Sequence, residues 1–309
     1  MIEVEHLTKK YGDLVAVDDL SFKVEEGKIW GLLGPNAAGK TTTMRVLTCY
    51  LPATQGKATI SGFDVFEQPN EIKKIIGYLP EVLPLYAEMT VRAYLQFVAE
   101  IKQVPRGKRI PAIEHAIDIC GLSGVHGRLI KNISRGFRQR VGIAQALIHD
   151  PKVIILDEPT VGLDPAQIRE IRQLIRSLKK EHTIILSTHI LAEVTQTCDG
   201  AVLINNGKLM ASGSLEQLTA SFKGKNDGVH IRLREGGDQV SALLQGIPGV
   251  ETVKQRENEY AIEWCHGSSP LDDILKFIVG KNLGLQEMRP MSMSIEDLYL
   301  KIISGGVEQ

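Results

Sequence analysis

Two clusters of residues in this 309-residue chain have the types and spacing to do chemistry. The first is Gly34-Pro35-Asn36-Ala37-Ala38-Gly39-Lys40-Thr41, which fits G-x-x-x-x-G-K-[ST]. Glycines let a backbone curl so that successive N–H groups point inward at phosphate oxygens. A helix starting at the end of such a loop adds partial positive charge. Lys40 could then reach the β- and γ-phosphates of a nucleotide, and the Thr41 hydroxyl could bind Mg²⁺. The second cluster is Asp157-Glu158, two carboxylates closing the apolar run Val153-Ile154-Ile155-Leu156. Asp157 is placed to hold Mg²⁺ through water, and Glu158 to orient or deprotonate an attacking water.

Both clusters need elements that hold them. Ile29-Trp30-Gly31-Leu32-Leu33 reads as a buried strand running into the glycine loop, with a helix over 41–47 after it. Residues 153–156 read as a second buried strand that delivers its acids beside the crevice of an open sheet. Each cluster has a plainer explanation: a chance glycine-rich turn, and an ordinary strand end at Asp-Glu-Pro. The strand and helix around the loop argue against chance. Together the clusters indicate a P-loop NTPase, a class that spans GTPases, kinases, helicases and transport ATPases.

The remaining patterns give an α/β organisation in two parts. Short strands occupy residues 1–30, punctuated by Gly12-Asp13 and Glu25-Glu26-Gly27. From about 85 to 150 apolar residues recur at helical spacing (Val91, Tyr94, Leu95, Val98; Ile113, Ala116, Ile117, Cys120), which predicts a helical insertion. Asp164-Pro165 can cap a helix carrying Ile168, Ile171, Ile175 and Leu178. A strand follows over 183–187, then a hairpin around Asn206-Gly207 and a capping-box sequence at Ser214–Gln217. Residues 223–228 suit a linker. Beyond it the order βαββαβ predicts a small ferredoxin-like α+β unit over 228–309, with a closing helix over 294–303.

Ile133-Ser134-Arg135-Gly136-Phe137-Arg138-Gln139-Arg140-Val141 resembles the LSGGQ-type signature of the ATP-binding cassette (ABC) family. Other matches follow in the family's order. Tyr11 is similar to the aromatic that stacks on adenine, Pro159–Asp164 to the D-loop, and His189 to the switch histidine near the γ-phosphate. Gly77-Tyr78-Leu79-Pro80-Glu81 and Ser294–Leu300 resemble the ATPase subunits of exporters with separate membrane subunits, in the group with multidrug and gliding-motility transporters.

The resemblance implies a mixed-sheet cassette over 1–222 and a nucleotide held between two chains. Tyr11, Gly34, Pro35, Asn36, Ala37, Ala38, Gly39, Lys40, Thr41 and Thr42 would bind ATP from one side, and Ser134 and Gly136 of a second cassette from the other. Thr41, Glu81 and Asp157 would hold Mg²⁺, while Glu158, His189 and Lys40 would carry catalysis. A homodimer seated on an integral membrane permease, at the cytoplasmic face, is the implied assembly.

Four positions in three motifs depart from the family pattern. Ala37 stands where many cassettes have glycine, and Glu81 where they have glutamine. In the signature, Arg135 and Phe137 replace glycine and glutamine. Arg135 either supplies charge to a phosphate or points into solvent. Taken singly, Ser134 is also a plain helix N-cap, Tyr11 a packing aromatic and His189 a helix-start histidine.

Composition narrows the rest. The chain is 43% apolar and carries 36 basic against 37 acidic side chains, which is globular and not disordered. Neither part has the basic surplus of a dedicated nucleic-acid binder, so nucleic acid is not an expected partner. No apolar run approaches a membrane span, and the four cysteines have no Cys-x-x-Cys spacing, which indicates neither disulfide framework nor zinc site. The chain reads as cytoplasmic. Two rival functions stay open on sequence: a non-catalytic ATP-binding regulatory cassette, and a soluble cassette ATPase acting on ribosomes or DNA.

Overall fold

The computed structural model describes residues 1–221, 226–265 and 269–290. It divides into two compact units, Met1–Glu216 and Gln217–Gln309. The first contains β1 (Ile2–Tyr11), β2 (Leu14–Val24), β3 (Ile29–Leu33), α1 (Lys40–Leu47), β4 (Gln55–Ile60) and β5 (Phe63–Asp64). It continues with α2 (Pro69–Ile75), β6 (Ile76–Leu79), α3 (Val91–Ile101), α4 (Arg106–Ile119) and α5 (Arg135–Leu147). Then come β7 (Val153–Asp157), α6 (Pro165–Leu178), β8 (Thr183–Thr188), α7 (Leu191–Thr197), β9 (Gly200–Asn205) and β10 (Lys208–Ser214). α8 (Leu215–Ser221) crosses into the second unit, which holds β11 (Asn226–Leu233), α9 (Asp238–Gln245), β12 (Val250–Arg256), β13 (Glu259–Cys265), α10 (Leu271–Gly280) and β14 (Leu285–Pro290).

Six strands form the first unit's main sheet in the order β10-β9-β3-β8-β7-β6. The five from β9 to β6 run parallel, and β10 folds back antiparallel through the Asn206-Gly207 turn, where both residues have positive φ. Every residue of β3, β7 and β8 is buried, as expected of parallel strands covered on both faces. A second sheet, β2-β1-β4-β5, is antiparallel. Its inward residues Ile2, Val4, Leu20, Phe22, Val24 and Ile60 join Trp30, Leu32, Ile155, Ile185 and Val202 of the main sheet in one apolar core.

The helical stretch between β6 and β7 carries caps that its sequence announces. Thr90 accepts from the Ala93 N–H at the start of α3, and Ser134 accepts from the Phe137 N–H at the start of α5. Asp164 caps α6 with bonds from Ala166 and Gln167, and Pro165 sits where no amide donor is needed. Sequence patterns assign no helix or strand between Leu51 and Leu83, and the structure places β4, β5, α2 and β6 there. These are short pieces, and β6 is defined by its parallel pairing with β7, a partner distant in sequence.

The second unit follows the expected βαββαβ order, with sheet order β12-β13-β11-β14 and all pairs antiparallel. Val229, Ile231 and Leu233 alternate inward on β11 and pack with Tyr260, Ile262, Leu244, Ile274 and Ile278. The expected linker over 223–228 is corrected in part. Asn226, Asp227 and Gly228 pair with Cys265, Trp264 and Glu263 as the start of β11, because ladder bonds need only backbone groups. Residues 223–225 and the closing helix expected over 294–303 lie outside the described residues. No helix among the described residues is long and apolar enough to cross a membrane.

His149, just after α5, is mostly buried and bonds to the Ile76 carbonyl at 2.9 Å, while its Nδ1 is buried without a partner. Burial, with Lys102 nearby, pushes its pKa down to about 4. The folded state therefore resists protonating this ring while the unfolded chain accepts a proton. Stability from this site is complete above pH 6.5 and is lost as pH falls toward 4. We expect His149→Gln, which keeps a donor for Ile76, to remove on the order of 2 kcal/mol from the acid-side decline. Denaturant melts of both proteins at pH 7.5 and pH 5 measure it.

Candidate functional site

Three neighbouring strands of the main sheet release their chains at the same edge. β3 runs into Gly34, β7 into Glu158 and β8 into His189, and the register pairs Leu33 with Thr188 and Asp157 with Ser187. The carboxyl edge of a parallel sheet is where a crevice forms for ligands. Here the crevice is a cleft of about 520 Å³ lined by residues 36–42 with Tyr11, Glu81, Glu158 and His189.

The glycines of the loop answer two different constraints. Gly39 has φ of 100°, and a Cβ there would lie 2.6 Å from the Ala16 carbonyl. Gly34 has an ordinary backbone, but a Cβ would meet the Ile204 carbonyl at 2.3 Å. Ala37 takes a left-handed conformation at φ 64°, which costs a residue with a Cβ about 1–2 kcal/mol. Lys40 is buried, and its ammonium donates to the carbonyls of Gly34 at 2.8 Å and Pro35 at 3.0 Å. It also stands 3.4 Å from Glu158 Oε1.

Asp157 and Glu158 end a strand but point to different partners. Asp157 Oδ1 accepts from Ser187 Oγ at 2.6 Å and Thr41 Oγ1 at 3.3 Å. Its Oδ2 is buried with no hydrogen-bond partner. An orphaned carboxylate oxygen beside a threonine hydroxyl is a hard-oxygen donor set, and it fits Mg²⁺. Glu158 turns the chain sharply at φ 48°, its N–H donates to Ser187 Oγ at 2.9 Å, and its Oε2 bonds His189 Nδ1 at 3.0 Å. A carboxylate held between a cation and an imidazole has a fixed direction, which is what aiming a water requires.

Tyr11, at the end of β1, is 43% exposed, with the Lys9 ammonium 5.2 Å from its ring centre. Ser134 and Gly136 do not line this cleft. They line a second one of about 260 Å³ with Phe137, Arg140 and Gln167, at the start of α5. Arg135 is exposed, and its side chain has a partner that its place in the signature did not suggest. Its guanidinium donates to the Val161 carbonyl at 3.0 Å and fills the space beside Gly162, where a Cβ would come within 2.3 Å of it.

Sequence reasoning passed over Ser187, whose hydroxyl ties the two acids together, and Leu14 and Ala16 on the cleft wall. Ser187 left one signal: it is the polar residue that interrupts the apolar run Ile184-Ile185-Leu186 just before Thr188-His189.

Residues 17–161 match the family described as ABC transporter. The bacitracin transport ATP-binding protein BcrA of Bacillus licheniformis is 34% identical, over 99% of this chain and 98% of its own length. The chain belongs to the ABC transporter ATP-binding proteins. A second relative, the ABC transporter ATP-binding protein YxlF of Bacillus subtilis, is 33% identical over 98% of this chain and 99% of its own. A solved structure described as the ATP binding subunit of an ABC transporter superposes with a TM-score of 0.65 at 29% identity. That likeness covers 72% of this chain and 93% of the other. This ABC protein therefore has the cassette fold and is an ATPase of that family.

The left-handed strain at Ala37 can be tested apart from ATP binding. Ala37→Gly relieves the left-handed strain but adds about 0.5–1 kcal/mol of unfolded-state freedom. The expected net gain is under about 1 kcal/mol in denaturant melts, with ATP affinity retained in a binding titration.

Proposed function

We propose that this ABC ATPase binds Mg-ATP in the Tyr11–Lys40 cleft and hydrolyses it with Glu158, driving transport through a separate membrane subunit. The observation that carries the reading is the adjacency of Lys40, Glu158 and His189 at three neighbouring strand ends.

Backbone N–H groups of the loop and the Lys40 ammonium would hold the β- and γ-phosphates, and Tyr11 would stack on the base. Thr41, Asp157 Oδ2 and Glu81 would hold Mg²⁺, whose charge offsets that of the phosphates. Glu158 would orient the attacking water and take its proton, with His189 fixing the carboxylate's direction and facing the γ-phosphate. Pro35, Asn36, Ala38 and Thr42 complete the ATP-binding loop in this reading, with Gly34, Ala37 and Gly39 shaping it.

A pairing of two chains is supported by the second cleft. Ser134 and Gly136 line a cleft that shares no residue with the one at the chain's own phosphate loop, which leaves them for a nucleotide bound by another copy in this reading. ATP would then join two cassettes, and its cleavage would release them, which is a differential contact able to drive motion. Residues 1–222 would form this cassette and 228–309 an accessory unit. Full-length similarity to a bacitracin transport protein supports export as the use of the energy, with the ATPase peripheral on the cytoplasmic face.

Glu158→Gln is expected to bind ATP, accumulate a dimer in size-exclusion chromatography and lose about 10²–10⁴-fold in phosphate release. Lys40→Ala is expected to lose ATP binding in a fluorescent-nucleotide titration. The wild-type rate per chain should fall on dilution; a rate independent of protein concentration would remove the two-chain site.

A further inference from the structure

Behind the Glu158–His189 pair lies a buried carboxylate to which the reaction above gives no task. Glu193 stands in the first turn of α7 and is 2% exposed. A carboxylate in such a place needs partners for both oxygens. Oε1 accepts from the Thr160 hydroxyl, and Oε2 accepts from the Thr188 hydroxyl at 2.6 Å. The Arg172 guanidinium, on α6, stands 3.7 Å from Oε1 and donates to Gln196 at 2.6 Å. Thr160 and Thr188 are themselves buried.

The positions of these threonines give the contact its meaning. Thr160 follows Glu158 by one intervening proline, and Thr188 immediately precedes His189. The Thr188 hydroxyl also accepts from the Ile190 N–H at 3.0 Å, so it fastens both sides of His189 to Glu193. One side chain thus holds the two loops whose own side chains meet in the 3.0 Å His189–Glu158 hydrogen bond. A carboxylate can accept from both hydroxyls at once. A glutamine amide offers one acceptor and one donor, so one of the two attachments must reverse or break.

We propose that Glu193 is a positioning residue for ATP hydrolysis, whose carboxylate clasps the Glu158 and His189 loops through Thr160 and Thr188 and sets the spacing between them. It lines no part of the nucleotide cleft. Its effect falls on the direction of Glu158 and not on the phosphate loop, so it acts on turnover and spares ATP binding. The inference rests on the roles given above to Glu158 and His189.

The test measures ATPase kinetics and melting temperature on the full chain for Glu193→Gln, Thr188→Val and Thr188→Ser, with Glu158→Gln alongside. Glu193→Gln is expected to lower kcat by about 10- to 100-fold, the effect of a small misplacement of a catalytic group. KM for ATP should stay within about 3-fold, with the melting temperature held. Thr188→Val should show the same loss, and Thr188→Ser, which restores the hydroxyl, should recover most of it. A wild-type kcat in Glu193→Gln overturns the clasp, as does a loss that vanishes when rates are normalised to folded protein. Full turnover by Glu158→Gln overturns the underlying roles. A stalled Glu158→Gln beside a normal Glu193→Gln overturns the clasp alone.

Discussion

Parallel pairing of β3 with β8 and of β8 with β7 is the constraint on which the site depends. Leu33 lies opposite Thr188, and Asp157 opposite Ser187, so the three chains leave the sheet within one residue of each other. A slip of one residue would turn every side chain to the other face and take Asp157 away from Ser187 and Thr41. What prevents the slip is apolar: all of β3 and β7 is buried, so a slip would exchange the side chains that each face packs against its neighbours. Packing far from any nucleotide therefore determines the chemistry at the edge.

Polar groups then lock the strand ends. Ser187 accepts from the Glu158 N–H and donates to Asp157, so one hydroxyl aims the two acids apart. Glu158 takes a left-handed backbone at the turn, a conformation a glutamate adopts only where its surroundings hold it. Here the Ser187 hydroxyl, the Lys40 ammonium and the His189 ring supply that hold. Local strain and a pre-aimed carboxylate are two sides of one arrangement.

How much of this could be read from the chain depended on how local each signal is. The phosphate loop, its flanking strand and helix, the Asp157-Glu158 pair and the Ser134 and Asp164 caps are encoded within a few adjacent residues, and the structure has all of them. The elements between Leu51 and Leu83 were not legible, because β4 and β6 gain definition from β1 and β7, distant in sequence. The same holds for Glu193. In sequence it is an ordinary acid in a helical first turn, and only the juxtaposition of two loops gives it partners. Arg135 shows the limit of motif matching: its place in the signature gave no sign of the Val161 carbonyl that its exposed side chain reaches.

That last contact has a consequence for how such chains can diverge. The guanidinium occupies the volume that a methyl group at Gly162 would need, and Gly162 itself holds φ of 69°. The left-handed backbone favours glycine there on its own, and the guanidinium, the movable end of a long side chain, would only have to swing aside for an added methyl. A glycine at the position of Arg135 would remove that side chain but leave the backbone demand in place. The backbone turn at Gly162 should therefore hold a glycine whichever residue stands opposite it.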